Sequence, residues 1–325
     1  MPGSNSLPAE MECLMGERRP GRAQHRDYVI GIDVGGTNFR IGMVNRRHQV
    51  TGFFKIPVQD VLGGSDPVKD LGNYLVSYRE KYCAGKAVRA VVIGFPATID
   101  KRRSVLLQAP NVKNMENLPV RELLEKQLGI SVKIERDVCL TACYDIDKYH
   151  IPDDGILTAF YFGTGIGNAI FVNGKLLAGH NGVAGELGHI PADGDHTPCG
   201  CGNMGCIENL AGGKYLAVLE REIYPSTPIE NMFAEHGQEP ELLRFVDRMA
   251  IAAATEINIL DPDYVLIGGG VTLMRDFPRG LLEKKIREHT RKPFPEQSLR
   301  LIFTQDEPEK SVIGAAIYAD RGTES

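Results

Sequence analysis

The apolar positions of this chain fall into short continuous runs and longer helical stripes, and that succession occurs twice. YVIGIDV (28–34) is an apolar run that leads through an aspartate into two glycines, FRIGMV (39–44) resumes it, and QVTGFFKIPV supplies a third. Two strands joined by a glycine turn, then another strand, predict an antiparallel meander. DPVKDLGNYLVSYREKY then carries apolar residues near helical spacing, and AVRAVVIGFPA reads as a buried strand. NLPVRELLEKQLG is a helix ended by Gly129, ISVKIERD a strand, and VCLTACYDIDKYH a helix.

The second half repeats the plan. GILTAFYFGTG runs as a strand into a glycine turn, IGNAIFVNGK returns, and KLLAGH offers a further short strand. Long helices are expected at about 240–260, then a strand DYVLIGGG, a helix at 276–290, a strand LRLIF and a closing helix near 311–321. Each half opens with a glycine turn between strands and then builds βα units, which is a duplicated architecture with little sequence identity. The pattern predicts an α/β chain in two lobes with a cleft between them. Residues 1–26 form a leader, 27–138 a small α/β domain and 139–310 a large one, with the closing helix packing on the small domain.

Composition narrows the classes. The chain has 325 residues, 42% hydrophobic and 24% charged, a net charge of −5 and a pI near 5.9. Such a balance gives no electrostatic reason for binding nucleic acid or an anionic membrane. Residues 1–26 are Pro- and Gly-punctuated with mixed charge; they lack the apolar core of a secretory signal and read as an unstructured leader. The uncharged run Gly155 to Gly174 is interrupted by Thr158, Gly163, Thr164, Gly165, Gly167 and Asn168, so it reads as paired strands rather than a membrane span. The expected compartment is the cytoplasm, where disulfides are disfavoured.

Thirty-six glycines cluster at turns. DVGGTNFR (Asp33–Arg40) and GTGIG (Gly163–Gly167) are the two hairpin turns, and glycines there let backbone N–H groups close round an anion, with Thr37 and Thr164 adding hydroxyls. Asp33 beside such a loop would repel phosphate unless Mg²⁺ lay between them, which suggests a metal–nucleotide. Either turn alone is also an ordinary glycine hairpin. No Gly-Lys pair completes a P-loop, and the Gly163 turn leads into a strand, whereas a dinucleotide fingerprint opens a helix. Gly268–Gly270, after DYVLI, would admit a flat ring or ribose, or make a plain strand-to-helix turn.

His189, Cys199, Cys201 and Cys206 have the spacing H-x₉-C-x-C-x₄-C, a Cys₃His set, with Gly200, Gly202 and Gly205 supplying sharp turns. Cys-x-Cys makes an awkward disulfide, and no C-x-x-C redox pair is present. Cys83, Cys139 and Cys143 sit singly in apolar contexts. Four protein ligands close the shell, so the expected ion is one structural Zn²⁺ and a zinc hydrolase is excluded. Glu186 and Glu208 flank the knot, which would hold both carboxylates ready for a polyhydroxylated ligand. Asp137 ends a strand and begins a helix; it is either a plain N-cap or the base that takes the proton of an alcohol during phosphoryl transfer. Asn111, in QAPNV, could reach the same ligand.

DVGGTNFR, GTGIG, GELGHI, CGCGNMGCIE and GGG, in this order, resemble the ROK sugar kinases of the actin/hexokinase-like ATPase superfamily, over residues 28–320. The resemblance implies duplicated ribonuclease H-like halves with an inserted zinc loop (189–206) and transfer of phosphate from ATP with Mg²⁺ to a hexose 6-hydroxyl. It assigns phosphate contacts to Asp33, Gly35, Gly36, Thr37, Asn38, Gly163, Thr164, Gly165 and Gly167, and adenosine contacts to Gly268, Gly269 and Gly270. It makes Asp137 the base, Asn111, Glu186, His189 and Glu208 sugar contacts, and His189 with the three cysteines the zinc ligands. It also suggests a homodimer. The wording GFPA, RDV and HNGVAGELGHIP is most similar to the D-allose kinases of the family, so D-allose is the expected hexose. Arg136-Asp137-Val138-Cys139 stands where many members carry Asn-Asp-Ala-Asn, which keeps glucose, mannose and N-acetylmannosamine open. A sugar-sensing regulator is the other reading; the 27 residues before the first strand are too few for a three-helix DNA reader.

Overall fold

The computed structural model describes residues 28–110, 112 and 114–321; the expected leader and Asn111 lie outside the described residues. The first half runs β1 (Tyr28–Val34), β2 (Asn38–Asn45), β3 (Val50–Pro57), α1 (Gln59–Leu62), α2 (Pro67–Tyr82) and β4 (Val88–Phe95). A small hairpin, β5 (Thr98–Ile99) and β6 (Leu106–Gln108), precedes α3 (Val120–Leu128), β7 (Ser131–Arg136) and α4 (Asp137–Lys148). The second half runs β8 (Ile156–Phe162), β9 (Ile166–Val172), β10 (Lys175–Leu176), α5 (Glu208–Ala211), α6 (Gly213–Glu222) and α7 (Met232–His236). It ends with α8 (Pro240–Leu260), β11 (Tyr264–Gly268), α9 (Arg279–His289), β12 (Leu301–Phe303) and α10 (Lys310–Asp320).

The two main sheets share one topology, β3-β2-β1-β4-β7 and β10-β9-β8-β11-β12. In each, the central strand pairs antiparallel with its hairpin partner and parallel with the strand after the first crossover. Parallel central strands are covered on both faces, which explains why β1, β4 and β8 read as continuous apolar runs, while edge strand β3 is only partly buried. One core lies between the first sheet and α2 and α3, and a second lies between the other sheet and α6, α8 and α9. A third joins the sheets through α4 and α10.

That third core depends on close backbone approach. A Cβ on Gly314, in the middle of α10, would lie 1.9 Å from the Leu140 carbonyl oxygen of α4, and one on Gly31 would lie 2.3 Å from Val312 O. Gly314→Ala gains about 1 kcal/mol of helix propensity, but its clash is with backbone and no rotamer relieves it. Overpacking of about 3 kcal/mol wins, so urea unfolding should show a lower midpoint.

Local chemistry fixes most ends. Asp66 caps α2 by accepting from Lys69 N at 3.1 Å, with Pro67 in the first turn, and Gly129 ends α3 in the left-handed region. The helix expected over 276–290 starts only at Arg279, because Pro278 disfavours helical backbone at Phe277. KLLAGH is a strand only at Lys175–Leu176. Arg136, not Asp137, occupies the N-cap of α4; Asp137 is its first helical residue, and its Oδ1 accepts from Val138 N at 2.8 Å. No helix among the described residues is long and apolar enough to cross a membrane.

Candidate active site

The carboxyl ends of β1, β4 and β7 lie side by side, with Asp33 in register with Gly94 and Gly94 with Glu135. In parallel sheets this edge is where ligands bind. Gly94 has no side chain, and a Cβ there would lie 3.0 Å from Asp137 Cα, so the start of α4 is seated directly on the strand ends. Asp33 and Asp137 therefore flank one strand end. Asp33 Oδ2 accepts from Arg40 Nη1 at 2.9 Å, its cross-strand neighbour on β2. Burial raises the Asp33 pKa in spite of Arg40 and of a hydrogen bond with Ser311. Asp137 is pushed up to about 6, first by burial and then by the Asp33 carboxylate, against the opposing pull of Val138 N–H and Arg136. A carboxylate tuned near neutrality beside a second acid is the electrostatic arrangement of a general base.

The glycine turns close round the same place. In the first, Gly35 N donates to Asn38 O at 2.8 Å, while Gly36 and Thr37 face solvent. In the second, Gly163 N donates to Gly165 O at 2.9 Å and Thr164 is exposed. A Cβ on Gly167 would touch Val138 at 3.0 Å, which sets this hairpin against the first turn of α4 beside Asp137. Gly269 has φ +95°, and a Cβ there would lie 2.4 Å from Phe162 O, so the third stretch abuts the residue before Gly163. Gly270 faces open space.

Glu208 opens α5 and braces the second turn: its Oε2 accepts from Ile166 N at 2.9 Å, and its Oε1 lies 4.0 Å from Lys214 Nζ. The α6 terminus adds Gly213 N to Gly163 O at 2.7 Å and Lys214 N to Thr164 O at 3.0 Å. Glu186 is more open. Its Oε1 is 3.3 Å from Arg136 Nη1 and its Oε2 is 3.6 Å from His189 Nε2. Arg136 is nearly fully buried and also donates from Nη2 to Ala184 O at 2.8 Å. Arg40, Glu135, Ser311 and Arg103 are the residues here to which the motifs give no role; the local signal for Glu135 and Arg136 is a charged pair at the buried end of β7.

His189, Cys199, Cys201 and Cys206 bring their ligand atoms within 4.8 Å of one another. His189 Nδ1 faces Cys199 Sγ at 3.6 Å, and Cys201 and Cys206 Sγ are 3.6 Å apart. A tetrahedral ion with metal–sulfur bonds of about 2.3 Å keeps its sulfurs about 3.8 Å apart, so the donor set and its spacing fit zinc. Nδ1 turns to the cluster and Nε2 to Glu186, which leaves the second ring nitrogen on the side of the candidate ligand site. Cys83, Cys139 and Cys143 are buried in the cores.

A glucokinase of Thermotoga maritima is 28% identical over 286 residues, covering 80% of this chain and 87% of the relative. An N-acetyl-D-glucosamine kinase of Aliivibrio salmonicida is 31% identical over 259 residues, covering 74% and 84%. Among solved structures, a ROK family glucokinase from Streptomyces griseus in complex with glucose and AMPPNP superposes with a TM-score of 0.73 at 24% identity, over 91% of this chain and 100% of that one. The fold is the actin/hexokinase-like α/β fold with mixed sheets. The ROK family model matches residues 29–321, nearly the whole described chain, and the protein belongs to the ROK family.

Proposed function

We propose that this protein is a sugar kinase that transfers the γ-phosphoryl group of ATP to the 6-hydroxyl of a free hexose. The observation that carries the reading is the pairing of Asp33 and Asp137 about one strand end, with Asp137 held near neutrality by burial and by its neighbour. Asp137 takes the proton of the hydroxyl as its oxygen attacks the γ-phosphorus, and ADP leaves. The turns Gly35–Asn38 and Gly163–Gly167 offer backbone N–H groups to the phosphates, and Gly268–Gly270 lies beside the second turn for the adenosine. Asp33, together with the substrate phosphates, would hold the Mg²⁺ of the nucleotide, which would supply charge neutralisation there. Glu186, His189, Glu208 and Asn111 are the proposed hexose contacts, with Glu208 also bracing the second turn. The Cys₃His cluster is proposed to hold one structural zinc. Residues 27–138 with α10, and residues 139–310, are the proposed lobes, supported by the contact of Gly31 with Val312.

D-allose is the proposed hexose, on the resemblance of RDV and HNGVAGELGHIP to the D-allose kinases. The relatives named glucokinase and N-acetyl-D-glucosamine kinase supply the competing substrates. Coupled ADP release over allose, glucose, mannose, fructose, N-acetylmannosamine and N-acetylglucosamine tests both levels. Preference for another sugar overturns the allose assignment, and silence on all of them overturns the kinase.

The pH profile is a second check. Asp137 must be ionised to accept a proton, so kcat should fall about tenfold per unit as pH drops below about 6. Asp33→Asn removes a neighbouring negative charge and should move that limb to lower pH, whatever it does to the plateau.

A further inference from the structure

Segment 178–186 carries Glu186 but has little to hold it by its own side chains. None of its residues enters the three hydrophobic cores. It leaves the second sheet at Leu177, whose N–H donates to Ile170 O at 2.8 Å, and reaches the first half. There Gly182 is buried against the β5–β6 hairpin; a Cβ on it would lie 2.6 Å from Ile99 O and 2.7 Å from Lys101 N. Two arginines of the first half grip the segment by its carbonyls. Arg103 Nη1 donates to Gly182 O at 2.8 Å, and Arg136 Nη2 donates to Ala184 O at 2.8 Å.

Arg103 is itself seated on a buried acid. Its Nε donates to Glu135 Oε2 at 2.7 Å, and Glu135 is 0% exposed. The same carboxylate accepts from Tyr318 OH of α10 at 3.0 Å and from Arg136 N at 2.9 Å. One buried carboxylate thus fixes the backbone of the residue before Asp137 and, through Arg103, the segment that presents Glu186. A buried ion pair is a weak source of net stability. What this one supplies is a fixed distance between two parts of a site that belong to different sheets.

We propose that Arg103 is a positioning residue for hexose binding: anchored on Glu135, it pins segment 178–186 across the junction of the two halves and so sets Glu186 relative to Asp137. The role in sugar binding rests on the kinase reading above; the pinning itself does not.

The test uses the full-length chain. Arg103→Ala leaves Glu135 buried and unpaired and would lose stability for that reason alone, so Arg103→Gln combined with Glu135→Gln removes both charges together. Hydrogen–deuterium exchange reads the segment, and coupled ADP release reads the two Michaelis constants separately. The expected results are faster exchange confined to about residues 178–189 and a hexose KM raised about 10- to 100-fold. The ATP KM should stay within about twofold. Unchanged exchange in the segment overturns the pinning. Faster exchange with both KM values unchanged and only the active fraction reduced overturns the positioning role. If the unmodified protein phosphorylates no hexose, the kinase reading falls, while the exchange comparison still decides whether Arg103 holds the segment.

Discussion

Asp137→Asn should lower kcat on the preferred hexose about 10²- to 10⁴-fold, the range that a positioned general base contributes. The substitution keeps the shape of the side chain, and Asn Oδ1 can still accept from Val138 N as the Asp137 carboxylate does. It also removes a carboxylate whose charged form is disfavoured by burial and by Asp33. The linkage sign follows from the raised pKa. The folded state holds the proton more tightly than the unfolded chain, so ionised Asp137 opposes folding increasingly as pH rises through about 4 to 6. The variant should therefore be at least as stable as the parent above pH 6. Activity lost with stability kept, and with metal content unchanged, is the signature of a base rather than a structural acid. Steady-state kinetics with thermal unfolding of the same preparation measures both; turnover within about tenfold of the parent removes Asp137 from the mechanism.

The parts of this site that sequence makes legible are local ones. The alternation of apolar runs and glycine turns gives β1–β2 and β8–β9, because a buried strand and a tight turn are each written in fewer than ten neighbouring residues. The clustering of His189 with the three cysteines is legible for the same reason, since His189 to Cys206 is a single stretch. The repeat of one strand order in both sheets follows from the repeated pattern. What escapes is the pairing of groups far apart in the chain. Arg103 with Glu135, Arg136 with Glu186 and Tyr318 with Glu135 join residues 32, 50 and 183 positions apart, and periodicity carries no information about such partners. Glu208 is a related case. Its place beside the cysteines suggests a ligand contact, yet one of its oxygens is bound to Ile166 N–H, a contact set by how α5 meets the second sheet. The β5–β6 hairpin escapes because strands of two and three residues have too few positions to show alternation. Gly31 inside β1 and Gly314 inside α10 were readable hints of the opposite kind, because a glycine within an element marks a close backbone approach.

Breaking the proposed zinc site is the second large effect, and it separates a scaffold from a catalyst. Residues 190–207 contain no helix or sheet strand; they are held by loop hydrogen bonds such as Ala192 N to Gly205 O at 2.7 Å, Cys199 N to Asn203 O at 2.8 Å and Ile207 N to Ile190 O at 2.9 Å. Ile190, Ala192 and Ile207 seat the ends of this loop on the second core, and the proposed zinc would order the stretch between them; apparent zinc affinities of about 10–16 kcal/mol in small metal-folded domains show how much such a site can supply. Cys201→Ser should drop bound zinc from one equivalent toward none and free His189 and Glu186 from their fixed relation. The hexose KM should then rise by about tenfold or more. The strand pairings of both main sheets form without any residue of the knot, so far-ultraviolet circular dichroism should change little. Glu208, two residues after Cys206, carries the disturbance to the second turn through Ile166, so ATP affinity should weaken too, by less than the hexose affinity. Metal analysis by mass spectrometry, paired with both Michaelis constants, makes the comparison. Zinc-free protein with an unchanged hexose KM would mean that the cysteines do not position the proposed hexose contacts Glu186 and His189. Loss of kcat alone, with both KM values intact, would point to a metal that acts on the reaction rather than on the shape of the site.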